Sequence, residues 1–336
     1  MFPAARPRRP LVWVLALIVS LWGYVAPGAA RQTFDLGVLD AVVRIEARIP
    51  ADARTARGLG TEREGNGVVI DDNGLVLTIG YIILEAASVT VYDGAGSPVA
   101  AQVLAYDTDT GLGLVRAARG LGVPAMPLGS AAALAPDMPV LVTAFGGRAS
   151  TIGAVVVARR EFAGFWEYLL EDAIFTSPPH PNWAGAALVG PGGRLLGIGS
   201  LFVRDALAGP EPIPGNVFVP IDLLAPILAD LLTEGRGPGP QRPWLGMFTM
   251  ERRGHVMVTR VSPDGPADRA GFEPGDVVLA VGDQAVGTLP EFYRAVWSRG
   301  QAGDTIPLRR LRSRTIELVP LVSGDRYHYL RLDKTY

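Results

Sequence analysis

The chain has 336 residues, long enough for two domains, and its 49% hydrophobic and 19% charged content excludes a disordered polypeptide. A net charge of −2 removes the electrostatic case for a nucleic-acid partner. With no cysteine, disulfides, thiolate catalysis and cysteine metal sites are excluded, and three histidines (His180, His255 and His328) make a histidine-rich metal centre a poor fit, so neither metal nor cofactor is expected.

In chain order, Arg6, Arg8 and Arg9 precede an apolar run over residues 11–26, which closes in PGAA at 27–30. A positive head, an apolar middle and small residues at the end make an export signal, with cleavage after Ala30. The run is short of the roughly 20 residues of a spanning helix, and if retained it would act as a tether to the inner membrane. Either way the remainder is expected outside the cytoplasm, in the periplasm or cell envelope.

From residue 39 to about 219, short apolar runs alternate with turns. Strands are predicted in AVVRIEARI (41–49), NGVVID (66–71), GLVLTIG (74–80), SVTVYD (88–93), AQVLAYD (101–107) and LGLVRA (112–117). Further strands are predicted in PVLVTAFG (139–146), IGAVVVARR (152–160), AIFTS (173–177), AALV and RLLGI within 182–198, and NVFVP (216–220). The bounding DNG, DGAG and GPGG are turn chemistry, and this spacing predicts an all-β sandwich or barrel. PIDLLAPILADLL (220–232) changes to a helical period, and residues 235–243, GRGPGPQRP, read as a linker. Beyond it lie a strand MVTRV (257–261), a helix TLPEFYRAVWSRG (288–300), strands TIPLRRL (305–311) and RTIELVPL (314–321), and a tail over 323–336.

SPDGPADRAGFEPGDVVLAVGDQAV (262–286) closely resembles a PDZ domain. Pro266 and Asp268 suit the first turn of a short helix, where a fixed φ and a negative charge are favoured. A β domain, a linker and a PDZ domain behind an export signal resemble the HtrA/DegP family of envelope proteases. The resemblance implies a mostly β fold: a chymotrypsin-like double β-barrel over 34–234, then an α+β PDZ domain over 244–322.

The family's catalytic segments can be followed in GNGVVID (65–71), GLVLTIGYIILEA (74–86), DTDTGLGLV (107–115) and NWAGAAL (182–188). Thr78 fits the family's threonine, which puts the histidine position on Tyr81. The triad aspartate position falls on Gly111, the serine on Ala184 and the oxyanion-hole glycine on Asn182. A triad needs a nucleophile, a base and a group that orients the base. Alanine cannot attack, tyrosine with a reference pKa of about 10 is a poor base at neutral pH, and glycine orients nothing. Asn182 can adopt a glycine-like backbone, which would keep the oxyanion hole. Tyr81 and Trp183 are expected to fill the cleft, or else to wall a residual peptide groove. Asp107 and Asp109 are expected to start the turn before LGLV. His180, between prolines in SPPHPNW (177–183), is expected exposed and idle, and a relocated Ser177–His180 pair is the alternative.

PDZ domains bind peptides by strand addition, with loop N–H groups taking the terminal carboxylate. The resemblance puts that loop at Trp244, Leu245, Gly246 and Met247, with Phe248 to Met250 pairing with the ligand. Phe292 and Val296, at i and i+4, share a helix face that lines the groove or else belongs to the core.

The expectation is therefore an exported pseudoprotease, not an enzyme, that binds protein C-termini or exposed apolar segments as adaptor, scaffold or regulator in envelope protein quality control. An active endopeptidase with relocated residues is the alternative. Partners implied by the resemblance are unfolded polypeptide, an active HtrA-type protease, and two further copies in a homotrimer formed near Phe34.

Overall fold

The structure, a computed structural model, describes residues 35–330 and residue 332. The predicted export signal and the trimer contact at Phe34 lie outside the described residues. Among the described residues, no helix is long and apolar enough to cross a membrane.

Six strands close the first barrel: β1 (Val42–Arg48), β2 (Glu62–Val69), β3 (Leu75–Ile79), β4 (Ser88–Tyr92), β5 (Pro98–Tyr106) and β6 (Leu112–Ala117), in the order β1-β2-β3-β6-β5-β4. A one-turn helix, α1 (Ala56–Leu59), sits between β1 and β2. The period-2 pattern does the sorting: in β4, Val89 and Val91 turn inward while Ser88 faces solvent. β3 is buried along its whole length, which its sequence LVLTI permits.

The second barrel consists of β7 (Pro139–Thr143), β8 (Thr151–Gly164), β9 (Tyr168–Ser177), β10 (Ala187–Val189), β11 (Leu195–Leu207) and β12 (Ile213–Pro220), closing as β10-β11-β12-β9-β8-β7. One apolar cluster runs through both barrels, joining Ile45, Val76 and Leu114 to Phe175, Ile198 and Val217. Each such side chain contributes about 1.5–3 kcal/mol on burial.

Two elements differ from expectation. β8 and β9 run past their predicted ends and meet in a hairpin whose tip is Phe165, Trp166 and Glu167. The helix expected over 220–232 is broken: a single turn at Ile221–Leu223 precedes α2 (Leu228–Glu234). Pro226 lies between them, without an N–H and in conflict with the preceding turn.

The C-terminal domain is a sheet in the order β13 (Met247–Arg252), β14 (His255–Val261), β15 (Val277–Val281), β17 (Thr305–Arg312) and β18 (Thr315–Val322), with β16 (Gln284–Ala285) paired to β15. The helices α3 (Pro266–Arg269) and α4 (Leu289–Trp297) complete it. Thr288 and Glu291 form a reciprocal capping box at the start of α4, satisfying backbone N–H groups that the helix leaves unpaired. Phe292 and Val296 are 0% and 1% exposed, in a core with Leu245, Met247, Phe272 and Ile306.

Linker and tail are both tied down. Arg242 pairs with Asp109 at 3.1 Å, and the Gly235 carbonyl accepts from Tyr106 N at 3.3 Å. The expected tail contains α5 (Arg326–Tyr329), whose Tyr327 hydroxyl donates to the Tyr106 carbonyl at 2.9 Å and accepts from Thr108 N at 3.1 Å.

Candidate functional site

The catalytic-frame positions converge between the barrels. Gly80 N donates to the Gly111 carbonyl at 2.7 Å, which sets the Tyr81 turn against the β5–β6 turn. Arg63 holds that turn, donating from Nη1 to the carbonyls of Tyr81 and Leu84 at 2.8 and 2.9 Å. The Tyr81 hydroxyl donates to the Ser200 carbonyl at 2.8 Å. Ser200 follows Gly199, whose carbonyl takes the Gly185 N–H at 2.8 Å.

Asn66, which the motif comparison passed over, anchors the loop at 182–185. Its Nδ2 donates to the carbonyls of Asn182 (3.0 Å) and Ala184 (2.9 Å), and its Oδ1 accepts from Phe145 N at 2.8 Å. Gly185 turns the loop at φ +73, and a Cβ there would fall 1.9 Å from the Asn66 carbonyl, so only glycine fits.

Ala184 presents a methyl group at the centre of this frame. Burial pushes the Tyr81 phenol well above its ordinary value, so it is no base at neutral pH. Gly111, at φ +75, closes the turn in which Asp107 accepts from Thr110 N and Oγ1 at 2.8 and 2.7 Å. Trp183 lies against Phe202, ring centroids 5.9 Å apart.

His180, expected to be exposed, is buried at 3% accessible. Its backbone N donates to Asn216 Oδ1 at 2.7 Å, its Nδ1 accepts from Asn182 N at 3.0 Å, and its Nε2 lies 3.1 Å from the Ser150 carbonyl. This arrangement requires the neutral tautomer protonated at Nε2, and burial lowers the imidazole pKa accordingly. The N–H at the oxyanion-hole position is therefore engaged by an imidazole. Ser177 Oγ donates to the Pro214 carbonyl at 2.9 Å, so Ser177 and His180 are each bonded elsewhere. His255 and His328 are exposed.

The second site is the loop before β13. Gly246 adopts φ +76, and the N–H groups of Leu245, Gly246 and Met247 point together. All three donate to one carboxylate, that of Glu167 at the β8–β9 tip: Leu245 N to Oε2 at 2.8 Å, Gly246 N and Met247 N to Oε1 at 2.7 and 3.0 Å. Two residues along each strand, Thr249 N donates to the Phe165 carbonyl at 2.9 Å. Trp244 packs on Tyr329, centroids 4.5 Å apart, and Phe248 on Phe165 at 6.1 Å. From α4, the Tyr293 hydroxyl donates to the Gly164 carbonyl at 2.7 Å and Arg294 pairs with Glu161 and Glu171 on the hairpin strands; Phe292 and Val296 face the core.

Burial raises the Glu167 pKa to about 7, against the three N–H donors and the charge of Arg326, which pull it down. Sequence reading had no signal for Glu167, because its partners lie about eighty residues away.

A trypsin-like peptidase domain model matches residues 65–198, and a PDZ domain model matches residues 243–321. The chain is 27% identical over 269 residues to "Serine endoprotease DegS" of Escherichia coli, covering 74% of this chain and 73% of that one. It is 25% identical over 291 residues to "Probable periplasmic serine endoprotease DegP-like" of Halomonas elongata, covering 80% and 58%. A solved structure, "HtrA-type protease AlgW with decapeptide", superposes with a TM-score of 0.52 at 20% identity over 86% of this chain and 97% of that one, which shows the fold.

These relatives are named serine endoproteases, and that overturns the expectation that the chain is not an enzyme. Tyr81, Gly111, Ala184 and Asn182 are departures from the family's pattern, and the pseudoprotease reading drawn from them is withdrawn. With a trypsin-like peptidase domain followed by a PDZ domain, the chain is a member of the HtrA/DegP-like family.

Proposed function

We propose that this chain is an exported HtrA-type protein that recognises polypeptide C-termini through its PDZ loop, in protein quality control of the cell envelope. One observation carries the reading: three convergent backbone N–H groups, at Leu245, Gly246 and Met247, hold a carboxylate at 2.7–3.0 Å. A loop of this kind discriminates a free C-terminus from an amidated one, because an amide offers one acceptor oxygen and no charge. The AlgW structure is of that protease with a decapeptide, and a DegP-like relative is named periplasmic, which supports both the ligand class and the location.

Hydrolysis by this chain needs a nucleophile from a position other than 184, since a methyl group cannot attack. Labelling with a fluorophosphonate followed by peptide mapping would locate it. Trimer formation and pairing with an active HtrA-type relative rest on the resemblance, and sedimentation of the purified chain tests the first.

The test of recognition is fluorescence anisotropy with a labelled apolar decapeptide, as free acid and as C-terminal amide. The expected result is at least tenfold weaker binding of the amide. Equal binding of the two would remove the carboxylate from the recognition and this reading with it.

A further inference from the structure

We propose that the β8–β9 hairpin is an internal ligand of the PDZ groove, which seats Glu167 where the carboxylate of an outside C-terminus would go. An outside C-terminus then binds only when the hairpin withdraws. The proposal rests on the carboxylate-recognition reading above and adds to it what occupies the site.

The hairpin matches a ligand in position and polarity. The Glu167 carboxylate takes all three loop N–H groups, and the Phe165 carbonyl takes the N–H of Thr249. Residue numbers fall from 167 to 165 on the hairpin as they rise from the 245–247 loop to Thr249 on β13, the antiparallel sense of an added strand. Apolar contact follows the same path: Leu169, 6% exposed, packs in the PDZ core with Leu245, Met247 and Phe292.

The residue choice is informative. Gly164 and Tyr168 pair across the hairpin, which leaves a three-residue tip whose last position turns left-handed. Such a position favours glycine, yet Glu167 holds it at φ +58. The carboxylate is also buried, 6% exposed, and among the described residues it makes no ion pair. A carboxylate desolvated at a strained position has its hydrogen-bond compensation in the loop N–H groups, with the charge of Arg326 beside them. While it is seated, the apparent affinity for an outside C-terminus falls by the fraction of molecules with the hairpin withdrawn.

Glu167→Gly is the decisive variant, since glycine suits the left-handed tip and leaves the barrel intact, which a thermal melt verifies. The probe is a labelled decapeptide copying residues 157–166, as free acid and as amide. The full chain is used, with amide hydrogen exchange at Leu245, Gly246, Met247 and Thr249 as the second readout. The expected result is at least tenfold tighter binding of the free acid to Glu167→Gly than to the unaltered chain, with faster exchange at those four amides. Equal affinities and unchanged exchange would overturn the internal ligand and leave carboxylate recognition standing. Faster exchange in the variant, with neither peptide bound by either chain, would support the internal ligand and sink the C-terminus reading instead.

Discussion

At position 184 a methyl group stands where the family's pattern has a hydroxyl, and the surroundings have changed with it. Tyr81 donates its proton to the Ser200 carbonyl, and the N–H of Asn182 is bonded to His180 Nδ1. A serine placed at 184 therefore finds neither Tyr81 available as a base nor the Asn182 N–H free as an oxyanion donor. Ala184→Ser is expected to give no fluorophosphonate labelling above that of the unaltered chain, and a rise in labelling that maps to residue 184 would show that a base is within reach. The triad-frame residues were readable because motif spacing survives substitution. The partners of His180 were not. SPPHPNW has the composition of an exposed loop, but the backbone N–H of His180 is bonded to Asn216, 36 residues further on, and its ring to Ser150 and Asn182.

Among the elements, period-2 alternation placed the barrel strands well, and it failed where a chemical detail overrode it. Pro226 broke a pattern that was helical by its leucines alone. The ends of β8 and β9 were read too short, because EFAGFWEYLL alternates poorly and its hairpin is stabilised by a domain later in the chain. α4 was legible from Thr288 and the spacing of Phe292 and Val296, although spacing alone does not say whether a face meets core or ligand. Removing the capping side chain with Thr288→Ala should lower stability by about 1 kcal/mol. Urea unfolding reads this directly, and an unchanged midpoint would mean that the box seen at Glu291 N contributes nothing.

Across the whole molecule, the PDZ domain is held on the barrels from two sides: the hairpin enters its groove, and α5 returns to the first barrel. The second attachment centres on the Tyr327 hydroxyl, buried between the Tyr106 carbonyl and Thr108 N. Tyr327→Phe leaves both groups without that partner, a loss of about 1–3 kcal/mol. Limited proteolysis should then cut the 235–243 segment faster, and an unchanged rate would show that α5 does not hold the domain. Sequence reading took 235–243 as a linker and 323–336 as a tail because Gly, Pro and polar residues describe the local chain and not what it packs against.

The hairpin attachment is pH-linked through Glu167. Burial raises the carboxylate from 4.5 to about 7 when seated, so seating takes up a proton, is strongest below pH 4.5 and weakens as pH rises through 7. The charged and titratable groups around it are Arg326 on α5, Asp109 in the β5–β6 turn, Arg242 before β13 and Tyr293 on α4. The C-terminal carboxylate of the free peptide, with a reference pKa near 3.5, is ionised in solution throughout this window. The measurement that tests the account most directly is the affinity of the full chain for the free-acid decapeptide from pH 5 to pH 8, beside Glu167→Gly, which keeps every other group. The account predicts binding that tightens roughly tenfold or more with rising pH in the unaltered chain and stays nearly level in the variant. The same pH dependence in both chains, or weaker binding at high pH in the unaltered chain alone, would contradict it.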